Sequence, residues 1–276
     1  MTVTELAVHR AAPGASATDR AGEGELRSVS IAVYVLDCFL GADELGPTQV
    51  ARRMGIAKST ASRMLSALAG GGLLDRTPAG RYRLSVRLFE YGRLAVDRLP
   101  LRAVARPVLV DLHESLREVV QLGIPVGGHV LFVDRVGGGG HSVRISGDVM
   151  RRVPGFSSSA GRVMAAFDPQ FARAVGAVER RKHTPFTITD GAKLTEILRQ
   201  GRHAGWVASR EEYEVGWSSV AAPVLVGSTG MPRVVGAVSV VGPTGHVLGQ
   251  RREFVAASLC RAARRIGSAL TALTEE

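Results

Sequence analysis

The sequence predicts an α+β fold. A small helical module with a β-hairpin comes first, a connecting helix follows, and a larger antiparallel sheet flanked by helices completes the chain. Three observations support this order. A helix with one apolar and one cationic face follows a turn at Gly55, a hairpin pattern comes directly after it, and helix and strand patterns alternate from Leu101 onward. We assign residues 1–26 to a flexible tail, 27–85 to the first domain, 86–99 to the connecting helix and 100–276 to the second domain.

The amino-acid composition limits the classes of protein to which this chain can belong. The 276 residues are 45% hydrophobic, which is enough apolar material for two separate cores. The formal net charge of +10 favours polyanionic partners. Cys38 and Cys260 lie far apart inside apolar helical patterns, and the seven histidines are scattered. We therefore expect neither a disulfide framework nor a metal cluster, and no cofactor.

The chain shows no targeting or membrane segment in its sequence pattern. No uninterrupted apolar run approaches the roughly 18 residues of a membrane span. The first 26 residues mix small residues with charges and lack the apolar centre of a secretory signal. These features predict a flexible tail and no membrane partner, and the two separate cysteines suit a reducing, cytoplasmic location.

Two helices are predicted at the start of the first domain. Ser28 is a candidate cap for a helix that ends at Gly41. The apolar stripe predicted for that helix consists of Val29, Ala32, Val33, Leu36, Phe39 and Leu40. Pro47 suits the first turn of a short second helix, which is expected to bury Val50, Ala51 and Met54.

The third helix has two unlike faces. Gly55 allows a sharp turn into it, and its apolar stripe at the helical period is Ala61, Met64, Leu65 and Leu68. The opposite face carries no acid and consists of Lys58, Ser59, Thr60, Ser62, Arg63 and Ser66. Short hydroxyls and cations suit close approach to phosphates, and Arg can read a guanine edge with two hydrogen bonds. An ordinary amphipathic surface helix is the alternative for this segment taken alone.

A hairpin follows the third helix. The pattern predicts strands over 73–77 and 81–85 around a turn at 78–80. The arginines around its tip are Arg76, Arg81 and Arg83. Two helices joined by a tight turn and followed by such a hairpin form a winged helix-turn-helix, whose wing places cations along the phosphate backbone or in the minor groove. Between Leu45 and Arg98 ten Lys and Arg oppose three Asp and Glu, which favours DNA over an acidic protein partner.

The connecting helix over 86–98 puts apolar residues in one part of its surface: Leu88, Phe89, Gly92, Leu94 and Ala95. These residues suit packing against the first helix, and they equally suit a lever that holds two wings at a fixed separation.

The second domain alternates between strand and helix patterns. Helices are predicted over 101–118, 159–167, 169–181, 191–203 and 250–273. Strands are predicted over 119–125, 129–136, 142–145, 206–208, 219–226 and 234–241. The run Gly137 to Gly140 is expected to form a hairpin turn, because it lacks the strand-to-helix context of a phosphate-binding loop. This order suggests an antiparallel sheet with helices against it.

Taken together, these segments resemble the IclR-type bacterial transcriptional regulators from about Arg27 to the C-terminus. The matching stretches are Val50 to Leu65, Gly80 to Leu84, Leu101 to Pro107, Ile188 to Asp190, Val220 to Pro223 and Val238 to Pro243. The resemblance implies a DNA-binding domain joined to a ligand-sensing domain, assembled as a homodimer or as a homotetramer built as a dimer of dimers.

An enzyme is not expected. Glu211, Glu212 and Glu214 lie together but have no evident His partner or metal ligand. Three consecutive serines at 157–159 lack the Gly-x-Ser-x-Gly elbow of a nucleophile.

A small-molecule effector is implied by the resemblance instead. It places the effector between the loop residues Ser158, Ser159, Ala160 and Gly161 and the sheet residues Ser209, Ser219 and Ser239. Backbone N–H groups at a helix start and several hydroxyls would suit a small carboxylate. The chain departs from acid-sensing members, which have an acidic residue at the Ser209 position and a cysteine at the Ser219 position; Val241 stands where another polar group can be found. The alternative is that these serines only satisfy strand ends and turns.

These expectations combine into a ligand-responsive repressor that binds a pseudo-palindromic operator in double-stranded DNA. Lys58, Ser59, Thr60, Ser62 and Arg63 would approach the major groove, Thr48 and Gln49 would meet the backbone, and the wing arginines would add phosphate contacts. A transcriptional activator of the same architecture and, more remotely, a winged-helix module for protein interaction remain the alternatives.

Overall fold

The computed structural model describes residues 27–138, 152–227 and 232–275. The chain divides into two compact units between Arg98 and Leu99. We call residues 27–98 the N-terminal unit and residues 99–275 the C-terminal unit. The predicted tail over 1–26, the second half of the predicted glycine turn and the predicted strand over 142–145 lie outside the described residues.

The N-terminal unit is a winged helix-turn-helix. Its elements are α1 (Arg27–Asp37), α2 (Pro47–Met54), α3 (Lys58–Gly70), β1 (Leu74–Arg76), β2 (Tyr82–Leu84) and α4 (Arg87–Asp97). Side chains from α1, α2, α3 and the hairpin share one apolar core, which includes Val35, Val50, Ala61, Leu65, Leu74 and Tyr82. The burial of Val50, Ala51 and Met54 by α2 and of Ala61, Leu65 and Leu68 by α3 follows the predicted stripes.

Two turns set the geometry of this unit. Gly55 closes α2 in the left-handed region at φ 65°, where a residue with a Cβ is strained. The β1–β2 hairpin is antiparallel with Leu74 opposite Leu84. Leu45 and Tyr82 also exchange two backbone hydrogen bonds of 2.9 Å, which adds a one-residue third strand to the wing. A single bridging residue has no periodicity, so the sequence pattern could not indicate it.

The predicted apolar stripe of α1 is confirmed only in part. Phe39, just after the end of the helix, is buried as predicted, and Ala32 and Leu36 pack partly against the core. Val29, Val33 and Leu40 are more than half exposed, whereas Ile31 and Val35, which the stripe omitted, are buried. The helix is already formed at Arg27, so Ser28 lies in its first turn and is not its cap, and α1 ends at Asp37 before Gly41. Apolar residues occupy two sides of this helix, and only packing against α2 and α3 selects one of them.

The C-terminal unit is a six-stranded antiparallel sheet with helices on both faces. Its helices are α5 (Pro100–Leu116), α6 (Ser159–Phe167), α7 (Pro169–Gly176), α8 (Gly191–Ala204), α9 (Thr244–Val247) and α10 (Arg252–Glu275). Its strands are β3 (Val119–Val126), β4 (His129–Val136), β5 (Arg152–Pro154), β6 (Val207–Arg210), β7 (Trp217–Val226) and β8 (Arg233–Pro243). The strand order is β5-β4-β3-β8-β7-β6. Helices α5 and α10 pack together over one face, and α6, α7 and α8 form a second layer that shares its core with the other face.

Three short elements and one helix end differ from the sequence expectation. The strand β5, a single 3-10 turn over Gly155–Ser157 and the four-residue α9 were not predicted, because none is long enough to show a period. Helix α7 ends at Gly176 and does not reach the predicted end at Arg181; glycine has a low helix propensity. Among the described helices, none has the length and apolarity needed to cross a membrane.

Candidate nucleic-acid interface and ligand pocket

The outer face of α3 is exposed and cationic. Lys58, Ser59 and Arg63 are exposed, and Thr60 and Ser62 are partly exposed. The residue before the helix, Ala57, provides no side-chain cap, and the first turn contains no acid. The first backbone N–H groups of α3 therefore have no intrahelical acceptor and are open to an external anion.

Helix α2 presents a smaller polar surface. Thr48 is exposed, whereas Gln49 is half-buried and accepts a 2.9 Å hydrogen bond on its Oε1 from the backbone N–H of Gly46. The amide NH₂ of Gln49 is the group left to donate outward. Arg52 is exposed one turn after Thr48, and sequence reasoning did not single it out. The i, i+4 spacing from Thr48 was the signal that could have identified it.

The wing arginines differ in their surroundings. Arg81 donates to the backbone carbonyl of Glu44 at 2.6 Å and lies 3.7 Å from its carboxylate. The Nε of Arg83 lies 3.6 Å from the carboxylate of Asp75. Arg76 is exposed, and no ion pair involves it in the part of the chain that the structure describes. Arg76 is therefore the wing cation most available to an outside phosphate, while Arg81 also holds the wing to the segment before α2.

A second polar cluster lies on the face of the large sheet that α6 covers. Ser209 pairs with Ser219 across β6 and β7, and Ser239 pairs with Ala221 on one side and Gln121 on the other. Directly opposite residues share a face of a sheet, as do residues two apart in one strand. The register therefore brings Ser209, Ser219, Ser239 and Gln121 to one face across four strands.

The start of α6 closes over this face. The Ser159 hydroxyl lies 2.7 Å from that of Ser219 on β7. Ser158 caps the helix, because its Oγ accepts from the backbone N–H of Gly161 at 3.1 Å. A Cβ at Gly161 would lie 2.4 Å from the backbone of Gly155, so only glycine allows the two segments to pack this closely. Ser159 and Ala160 are each 1% exposed, and their first-turn N–H groups have no intrahelical acceptor.

Ser239 has a buried hydroxyl with no hydrogen-bond partner among the described residues. The residue is 1% exposed, and its Oγ makes no hydrogen bond to any described residue. An unpartnered buried hydroxyl costs about 1–3 kcal/mol. Ser209 is also buried, with its Oγ 3.4 Å from the carbonyl of Ser157 and from the carboxylate of Glu212. The cluster is therefore a set of buried hydroxyls, of which that of Ser239 has no hydrogen-bond partner among the described residues.

A buried ion pair lies beside this cluster, and sequence reasoning missed it. The guanidinium of Arg162 donates to both carboxylate oxygens of Glu212 at 2.5 Å, and its Nε donates to the carbonyl of Phe156 at 2.7 Å. The sequence identified Glu212 only as a carboxylate with no evident His partner or metal ligand. The sequence signal was that Arg162 is the one charge in α6, whose other residues are small or apolar, so that its burial there would require a partner. In the described part of the chain, no three side chains form a possible metal site.

Two family models match the chain. Residues 93–268 match the model described as "Bacterial transcriptional regulator IclR C-terminal", and residues 28–78 match the "IclR helix-turn-helix domain".

Curated relatives and solved structures agree with these matches. The glycerol operon regulatory protein of Streptomyces griseus is 34% identical over 79% of this chain and 85% of the relative. The HTH-type transcriptional regulator XynR of Escherichia coli (strain K12) is 29% identical over 80% of this chain and 88% of the relative. The crystal structure of an IclR homolog complexed with 4-hydroxybenzoate, from Microbacterium hydrocarbonoxydans, is 28% identical with a TM-score of 0.68 and covers 89% of this chain and 99% of the homolog.

Proposed function

The chain belongs to the IclR family of bacterial transcriptional regulators, and from this premise we propose that it is a repressor whose hold on a pseudo-palindromic operator changes when a small molecule fills the pocket under α6. It is a DNA-binding transcriptional regulator with an effector-binding domain, and such regulators are not enzymes. The operator geometry, the repressing action, the oligomeric state, the site residues and a cytoplasmic location are our proposals.

The observation that carries the DNA-binding proposal is the acid-free outer face of α3. Lys58, Ser59 and Arg63 are exposed there, next to an open helix N-terminus that favours phosphate. In this proposal Arg63 reads a base edge, while Lys58 and the first-turn N–H groups meet phosphates. Arg76 of the wing adds a backbone contact on the neighbouring groove.

Exposed apolar side chains support a dimer. Helix α4 contains no buried residue, and Phe89 and Leu94 on it are 66% and 54% exposed. On α1, Val29 and Val33 are 56% and 52% exposed. Apolar surface of this kind suits a self-complementary interface, and a twofold dimer matches two half-sites of one operator. A dimer of dimers through the C-terminal units is the alternative.

Repression requires fewer contacts with other proteins than activation does. A dimer bound across a promoter excludes polymerase by occupying the DNA, whereas an activator needs a further surface for the transcription machinery. A reporter strain tests the choice. Deletion of the regulator should raise expression from the promoter that it binds, and a fall in expression would identify an activator.

The pocket under α6 suits a small molecule with acceptor oxygens. The buried N–H groups of Ser159 and Ala160 and the unpartnered hydroxyl of Ser239 point to a carboxylate or hydroxyl group on the ligand. The Microbacterium homolog is complexed with 4-hydroxybenzoate, which carries both groups. We therefore propose a small organic acid as the effector of this chain.

A thermal-shift screen tests the pocket. Small carboxylates including 4-hydroxybenzoate are added to the protein, and each stabilising compound is then tested for a change in operator affinity. A compound that stabilises the protein and shifts DNA binding supports the proposal. If no compound in the set does both, the result contradicts the proposal for every acid tested.

An interaction module for an acidic protein is the competing function for the N-terminal unit. Titration of random duplex DNA at increasing salt separates the two. DNA binding weakens steeply with salt because counterions are released from the duplex, whereas absence of any shift at low salt would favour the protein partner.

A further inference from the structure

The Arg162–Glu212 pair connects four chain segments around the proposed pocket. Arg162 lies in the first turns of α6, and its Nε holds the carbonyl of Phe156 in the preceding turn. The Glu212 carboxylate accepts from the backbone N–H of Ile188 at 2.9 Å and lies 3.4 Å from the hydroxyl of Ser209 at the end of β6. The pair thus joins the loop before α6, the segment before α8, the end of β6 and the turn between β6 and β7.

The turn that carries Glu212 is held independently of its carboxylate. The hydroxyl of Thr187 donates to the carbonyl of Glu212 at 2.6 Å, and the hydroxyl of Thr184 donates to that of Glu211 at 2.7 Å. The backbone beneath the carboxylate is therefore fixed, and the two carboxylate oxygens are aimed at α6. Loss of the ion pair should release the α6 side of the contact and leave the turn in place.

Burial of this pair contributes orientation more than stability. Arg162 and Glu212 are 1% and 3% exposed, and the desolvation of two charges offsets most of their attraction. A bidentate guanidinium–carboxylate contact does, however, fix both the distance and the plane of its partners. The main effect of the pair is therefore to fix the position of the segment from Gly155 to Gly161.

We propose that Arg162 and Glu212 are positioning residues of the sensor pocket. They hold the 155–161 loop and the Ser209 hydroxyl in the geometry that receives the effector, and they do so without touching it. The inference rests on the proposed function of this pocket. According to this proposal, the buried Arg162–Glu212 pair keeps the 155–161 loop ordered when no ligand is bound.

Hydrogen–deuterium exchange of the full chain without any added ligand tests the inference. In the double variant Arg162→Met/Glu212→Leu, we expect amide exchange over 155–161 to rise by about tenfold or more, because local opening becomes easier. Peptides from α10 should exchange as in the wild type, and the thermal midpoint should stay close to it, because apolar residues of similar size replace the pair. Unchanged exchange over 155–161 would overturn the proposal.

Two further variants separate positioning from simple charge burial. Arg162→Lys keeps the positive charge but cannot make the bidentate contact, so amide exchange over 155–161 should also rise. If exchange in this variant equals that of the wild type, the charge alone is sufficient and the bidentate contact does not position the loop. Glu196→Gln removes an exposed ion pair on α8 and should leave every peptide of the loop unchanged. If the double variant does not fold, the lysine variant alone decides the outcome.

These outcomes are distinct from failure of the proposed function. An incorrect pocket assignment would appear as the absence of any compound that alters DNA affinity. If the positioning role is wrong, amide exchange over 155–161 will be unchanged in the variants, measured without any added compound.

Discussion

The hydroxyl of Ser66 on α3 lies 3.2 Å from the phenolic oxygen of Tyr82 on β2. Tyr82 is 4% exposed and belongs to the same core as Leu65 and Leu74. This contact joins the proposed reading helix directly to the wing. Ser66 is exposed on the polar face of α3, as its sequence position predicts, and its hydroxyl also contacts the hairpin.

Removal of this contact should cost little stability. Tyr82→Phe is expected to lower the free energy of unfolding by about 0.5–1.5 kcal/mol, the usual net contribution of one hydrogen bond, as measured by urea denaturation. Ser66→Ala should cost a similar amount, and the double variant should add nothing further. Fully additive losses would show that the two oxygens do not interact.

Arg63 is expected to read a base. Arg63→Ala should weaken binding to the preferred operator by about 1–3 kcal/mol and relax the preference at one position, as measured by selection of DNA from a random pool followed by anisotropy titration. Gly70→Ala, on the exposed last turn of the same helix, provides the control. Unchanged operator affinity in Arg63→Ala would exclude α3 as the reading helix.

Arg76 is expected to contact phosphate only. Arg76→Ala should weaken binding to all duplexes similarly and reduce the slope of log K against log salt by about 1. Arg81→Ala is a less direct test, because loss of its contacts with Glu44 also disturbs the wing. A loss of affinity confined to one operator sequence would contradict a phosphate role for Arg76.

Ser239 and Ser219 should respond in opposite directions. Ser239→Ala removes an unpartnered buried hydroxyl and is expected to raise the free energy of unfolding by about 1 kcal/mol while it weakens effector binding. Ser219→Ala breaks the contact with Ser159 and should lower stability by about 1 kcal/mol. Denaturant titrations of both variants provide the comparison, and destabilisation by Ser239→Ala would mean that its hydroxyl is satisfied without ligand.

Phe89 should decide the oligomeric state. Phe89→Glu places a charge on an exposed apolar side chain of α4, so the N-terminal unit should stay folded while a dimer dissociates. Analytical ultracentrifugation checks the mass, and Ser115→Glu on the exposed side of α5 serves as the control. A dimer that persists with wild-type operator affinity would place the interface elsewhere.

Local rules were sufficient for much of this fold. The glycine at position 55, the proline at position 47 and the single-period stripe of α3 determine the helix-turn-helix, because each restricts backbone geometry or burial within a few residues. The acid-free outer face of α3 and the excess of cations between Leu45 and Arg98 could likewise be counted without coordinates. The strands of the large sheet were predicted wherever an apolar run was long enough.

Contacts between residues that are distant in the sequence could not be predicted from periodicity or composition. The face that α1 buries, the bridge between Leu45 and Tyr82, and the pairing of Arg162 with Glu212 each depend on which segments meet in space. The sequence by itself therefore determined the order of elements and the chemistry of the α3 surface, since these follow from periodicity and composition. Only the tertiary structure decided that Ser239 is buried without a partner in the described part of the chain and that a buried charge on α6 is matched 50 residues later, because burial and pairing are properties of packing and not of spacing along the chain.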